Sequence, residues 1–138
     1  MTQSPHEFLH PKHWTPARGY ANGVAARGRT LYLAGLIGLN DAQEFDTDDF
    51  VGQAAQTLRN IVAVLAEGGA GPEHLVRLTW YVTDKREYLA CLPALGAVYR
   101  EILGRSFPAM ALVQVVALVE DRARVEIEAT AVVPDTGP

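Results

Sequence analysis

The segment from 46 to 72 constrains the fold most. "DTDD" at 46 to 49 offers side-chain oxygens for a helix N-terminus and negative charge where the helix dipole favours it. Val51, Ala54, Ala55, Leu58, Ile61, Val62 and Leu65 then recur at helical spacing, and "EGGAGP" ends the pattern with glycines and a proline. A helix with one apolar face must bury that face against another layer. The sequence around it supplies strands as that layer.

"HLVRLTWYVTD" at 74 to 84 alternates with the period of a strand. Alternation places Val76, Leu78, Trp80 and Val82 on one face and Leu75, Arg77, Thr79, Tyr81 and Thr83 on the other. Asp84 followed by Glu87 resembles a capping box and starts a second helix that restarts at Pro93 and runs to Gly104. Two strands are predicted to close the chain, Ala109 to Leu118 and Arg122 to Val133. Upstream, "YANGVAARGRTLYLAGLIG" reads as two short strands joined by a hairpin turn at "ARGR", the second from Thr30 to Ile37. Residues 1–18 carry Pro5, Pro11 and Pro16 and are expected to form an extended arm. The order predicts an α+β two-layer sandwich, a mixed six-stranded sheet with two helices on one face.

The chain has 138 residues, enough for a single domain over 1–138 and too few for two ordinary ones. Twelve basic residues against sixteen acidic give a net charge of -4, so no electrostatic argument favours a nucleic-acid partner. The single cysteine, Cys91, cannot form an internal disulfide, and no charged segment leading into an apolar one opens the chain. A cytoplasmic location is therefore expected. The apolar runs are too short for a membrane helix, so no membrane partner is expected. His6, His10 and His13 sit among prolines that give no fixed ligand geometry, and neither metal nor cofactor is expected. "GGAG" follows a helix rather than preceding one, so it reads as a helix stop and not a phosphate loop.

The face of the sheet without helices is expected to carry Arg77, Tyr81, Gln114 and Glu126 beside Leu75, Met110 and Leu112. Such a mixture suits a subunit interface, where charges pair and apolar residues exclude water.

Five segments in this order carry a resemblance: "GYANGVAARGRTLYLAGLIG", "QAAQTLRNIVAVLAEGGAG", "LVRLTWYVTDKREY", "FPAMALVQVVAL" and "VEIEATAV". Together they resemble the Rid family of reactive intermediate imine deaminases, also known as YjgF-like or L-PSP endoribonuclease-like proteins. The resemblance implies a chorismate-mutase-like fold and a homotrimer binding a small-molecule metabolite in clefts between subunits. It implies that Glu126 holds an attacking water and that Tyr20, Gly35, Leu36, Met110 and Leu112 line the cleft. In family members that hydrolyse 2-aminoacrylate-type imines, an arginine follows "FPA" and clamps the substrate carboxylate. Here that residue is Met110, whose thioether cannot replace a bidentate guanidinium. Ala34 stands where such members carry a serine, and Gly96 is the counterpart of a helix asparagine.

Glu126 and Tyr20 are accordingly the candidate catalytic residues. Arg18 and Arg105 are the candidate replacements for the missing clamp, and Trp14 is a candidate stacking surface. Three function classes follow. One is an imine or enamine deaminase of altered specificity, with aminomuconate-type substrates included. The second is a non-catalytic trimer that binds a metabolite in the same clefts. The third, an endoribonuclease, is disfavoured by the acidic balance and the lack of a basic aromatic stripe.

Overall fold

The computed structural model describes residues 4–135. Its strands are β1 (Glu7–Leu9), β2 (Gly23–Ala25), β3 (Arg29–Tyr32), β4 (Leu75–Val82), β5 (Ala109–Gln114) and β6 (Val125–Val133), and its α-helices are α1 (Phe50–Glu67), α2 (Lys85–Ala90) and α3 (Leu92–Leu103). The main sheet has four strands in the order β3-β6-β4-β5, while β1 and β2 form a separate two-stranded ribbon. β5 runs parallel to β4, and the other pairings are antiparallel. The α+β class is as expected. The single six-stranded sheet divides into four strands and two.

The division has a local cause. β2 pairs with the N-terminal arm at β1, and β3 pairs with β6, so "ARGR" does not close a hairpin. At that point Gly28 has φ +146, and a Cβ there would collide with the carbonyl oxygen of Val133. The chain crosses the end of β6 at Gly28 because only glycine permits both the backbone angle and the approach. Residues 1–3 of the expected arm lie outside the described residues.

α1 is capped by Asp49, whose carboxylate accepts from the Gly52 amide at 2.8 Å. Its Ala54, Leu58, Ile61 and Leu65 are buried against Leu78, Val82, Ile127 and Ala129 of the sheet. Two polar residues share that buried face. Gln53 donates to the carbonyls of Thr47 and Arg122 and accepts from the Arg124 amide, and the Thr57 hydroxyl donates to the Gln53 carbonyl. Gln53 thereby ties the start of α1 to the loop that leads into β6, and every polar group it buries is paired.

Three strand expectations are corrected. Register shifts between Leu75 and Arg77, so Leu75 is fully buried in the core and Val76 is only partly so. One extra residue there reverses the alternation. β5 ends at Gln114 rather than Leu118, because β4, its one strand partner, ends at Val82, and the last bond runs from the Val115 amide to the Val82 carbonyl. β6 starts at Val125 rather than Arg122.

A fourth correction concerns side-chain direction. β5 is in register with β4 so that Met110 lies beside Leu78, Leu112 beside Trp80 and Gln114 beside Val82, all on the helix-covered face. Met110 and Leu112 accordingly pack against the core, and Gln114 accepts from the Lys85 amide at the start of α2. The opposite face holds Arg77, Thr79 and Tyr81 with Glu126 and Glu128, and it receives Ala109, Ala111 and Val113 from β5. Leu75, Met110, Leu112 and Gln114 do not belong to that face.

Candidate functional site

A pocket of about 500 Å³ opens where the helix-covered side of β4 and β5 meets α2, α3 and the segment before β2. Its inner wall is apolar. Trp80 and Leu95 are almost completely buried, and the Tyr99 ring stacks on Phe107 with centroids 5.1 Å apart. The Tyr99 hydroxyl donates to the Ser106 carbonyl at 2.6 Å, which fixes α3 to the turn that enters β5. Burial raises the pKa of this phenol above the ordinary tyrosine range. It stays a neutral donor.

The structure brings Arg18, Tyr20, Met110 and Leu112 together in this pocket. The Ala21 amide donates to the Pro108 carbonyl at 3.0 Å, and that bond carries the preceding Tyr20 to the start of β5. Arg105 lies elsewhere, in a neighbouring cavity of about 340 Å³ lined by Phe8, Pro16 and Asn22. Tyr20 and Phe107 border both cavities. Trp14 lines neither. It is 52% exposed, and its carbonyl accepts from the His10 ring.

Gly35, Leu36 and Glu126 stand apart from the pocket. Glu126 is on the helix-free face of the sheet, and a Cβ at Gly35 would collide with its Oε2. The glycine lets the carboxylate lie against the backbone. Leu36 then rejoins β6 through reciprocal bonds with Ile127, each 2.9 Å. On the same face the Tyr81 hydroxyl donates to Glu128 at 2.7 Å. That bond, then desolvation and the nearby carboxylates of Glu128 and Glu126, raises the Tyr81 pKa. Within one chain Tyr20, Met110 and Leu112 therefore border the helix-side pocket, Glu126 and Gly35 meet on the bare face of the sheet, and Leu36, opposite Ile127, packs against the core.

Arg100 is the residue that sequence reading missed. It lines the pocket from α3, one turn beyond Gly96, which lines it too. The signal was present as an i, i+4 pair, since residues so spaced share a helix face. Arg18 and Arg100 are the charged residues of the lining, and both are positive. Apolar walls with two guanidinium groups and no carboxylate can hold a small anion with an apolar body.

The family model described as endoribonuclease L-PSP matches residues 11–133. The chain belongs to this family. Among L-PSP relatives, protein DfrA of Myxococcus xanthus is 38% identical over 110 residues, covering 76% of this chain and 77% of that protein. A protein named 2-iminobutanoate/2-iminopropanoate deaminase from Capra hircus is 35% identical over 105 residues, covering 75% of this chain and 73% of its own length. The solved structure of the Rid family protein YyfB from Yersinia pestis superposes with a TM-score of 0.83 at 31% identity, over 93% of this chain and 98% of that one. Rid membership and the Rid fold are thus shown. Among the described residues no helix is long and apolar enough to cross a membrane.

Proposed function

We propose that this chain is a single-domain subunit of a cytoplasmic homotrimer that binds a small metabolite in clefts between subunits, as an imine or enamine deaminase of altered specificity. The observation that carries this reading is the separation of the two groups of cleft residues. Tyr20, Met110 and Leu112 border a pocket on the helix side, while Glu126 and Gly35 lie on the bare side of the sheet. A site that contains both groups requires a second copy of the chain. The bare face, with partly exposed Ala109, Ala111 and Val113 around paired polar groups, is the surface suited to receive it. The name of the goat relative supports imines as the substrate class. The single cysteine agrees with a reducing compartment.

The chemistry follows from the roles available. Water adds to the carbon of a protonated imine, the carbinolamine then collapses, and the products are a keto compound and ammonium. Glu126 of one subunit holds the water and accepts its proton. Tyr20 of the neighbouring subunit supplies a hydroxyl to the imine nitrogen, and the pocket walls exclude bulk water. Gly35 frames the Glu126 side of the cleft, with Leu36 packed into the core beside it, and Met110 and Leu112 frame the other. Arg105 and Trp14 are left outside this site.

Met110 sets the specificity. Loss of a charge-assisted bidentate contact at a desolvated site removes about 2–5 kcal/mol of transition-state binding. Hydrolysis of 2-aminoacrylate-type imines should therefore be on the order of 30-fold to several thousand-fold slower than in an arginine-bearing relative. The test generates the imine in situ from an amino acid and follows keto acid release. Met110→Arg should restore part of the rate and Glu126→Ala should remove what remains. Wild-type activity equal to that of an arginine-bearing relative would contradict this reading. The same Met110 favours a second reading, a trimer that binds a metabolite without turning it over. Binding in the cleft with no keto acid from any imine supplied would select it. Ribonuclease activity is not part of the proposal, since the net charge of -4 opposes binding to a polyanion.

A further inference from the structure

We propose that Arg100, folded back over Gly96, is the anchor for the anionic end of the ligand, so that the pocket takes a small carboxylate with an apolar body. This rests on the pocket described above and names a residue that the family resemblance did not supply.

The geometry is specific. A Cβ built on Gly96 would meet one atom within 4 Å, the Nη1 of Arg100, at 3.3 Å. Helical side chains lean toward the N-terminus over the preceding turn. The guanidinium of Arg100 therefore lies against the bare backbone at Gly96, closer than it would ordinarily approach a side chain there. Glycine in a helix interior costs stability, and here its missing side chain makes room for a cation beside the pocket.

The charge of Arg100 is available. The ion pairs among the described residues join Arg122 to Asp48 and Arg124 to Glu87, leaving Arg18 and Arg100 outside them. Of these two, Arg100 is the better prepared. It projects from α3, which is fixed at the adjacent residue by the Tyr99 bond to Ser106, whereas Arg18 lies on an irregular segment between Pro16 and Gly19. A rigid element holds a binding group more accurately than a loop does.

A second observation points to a ligand. Trp80 lines the same pocket and is 3% exposed, yet its indole Nε1 is buried without a hydrogen-bond partner. A buried unpaired donor is costly, and a ligand oxygen reaches it with a small shift of the pocket wall that exposes the indole edge. Tyr88, Leu95 and Phe107 provide the walls for the apolar body.

The test is titration calorimetry of the full-length protein with two compounds of the same shape, 3-phenylpropanoate and its neutral amide 3-phenylpropanamide. Wild type should bind the carboxylate at least about tenfold more tightly, the difference expected for a hydrogen bond to a charged group. Arg100→Gln should erase that preference, with an unchanged far-UV circular dichroism spectrum and melting temperature showing that the variant is folded. Arg59→Gln, which removes a charge from the exposed side of α1, should keep it. Retention of the preference in Arg100→Gln, or its loss in Arg18→Gln instead, would overturn the assignment. Equal binding of both compounds by wild type would overturn the anchor but leave the pocket standing. Failure of wild type to bind either compound would overturn the pocket reading, and the anchor with it.

Discussion

At the scale of single residues, the informative positions are polar groups placed among apolar ones. Gln53 looks like a solvated helix position in the sequence, yet it is 1% exposed and makes three hydrogen bonds to backbone groups of two other segments. Gln53→Leu keeps the size and leaves those backbone groups unpaired, so stability should fall by about 1–3 kcal/mol. Urea unfolding with a lower midpoint and an unchanged slope would report it. Tyr99 leads to a pH prediction. Its raised pKa means that the folded state holds the phenolic proton more tightly than the unfolded chain does. The stability gained in this way is complete below pH ~10, the ordinary tyrosine value, and is lost as pH rises above it. The melting temperature of Tyr99→Phe should decline less steeply through that range than wild type, without becoming flat, because Tyr81 is shifted in the same direction. None of these couplings can be read from the chain, since each joins a residue to a backbone group far from it in sequence or depends on burial.

At the scale of elements, periodicity made α1 and the core face of β6 legible. Val125, Ile127, Ala129 and Ala131 are buried as their alternation requires. Leu58 is fully buried in the middle of α1, so Leu58→Ala should cost about 2–5 kcal/mol in denaturant unfolding. Pairing was not legible. "ARGR" has the composition of a hairpin turn, but Gly28 meets the end of β6, a strand about a hundred residues away in sequence. Gly28→Ala should therefore destabilise by about 1–3 kcal/mol, far beyond an ordinary surface glycine, through backbone strain and collision with Val133. Thermal unfolding beside Gly19→Ala, also at positive φ but with nothing within 4 Å of an added Cβ, separates collision from strain. The alternation in β5 was read correctly, but its phase was not. Residues 109–114 are partly apolar on both sides, so only the register with β4 fixes Met110 on the helix side.

At the scale of the whole molecule, one chain divides the residues that the family resemblance assigns to a cleft, with Tyr20, Met110 and Leu112 at the helix-side pocket and Glu126 on the bare face of the sheet. Tyr20, Met110 and Leu112 were legible as pocket residues through their motifs, whereas Arg100 was not, because its role depends on the missing side chain at Gly96. Glu126 lies across the sheet from that pocket, so the account needs a neighbouring copy to complete the site. Arg77→Glu, which reverses charge on a face already holding Glu126 and Glu128, should weaken assembly through like-charge repulsion, seen as later elution on size exclusion. Sedimentation equilibrium of the wild-type protein at micromolar concentration tests the central claim most directly. A species of three times the 15.0 kDa chain mass is predicted, and a monomer would contradict it, since a single copy holds Glu126 and the Tyr20 pocket on opposite faces of the sheet.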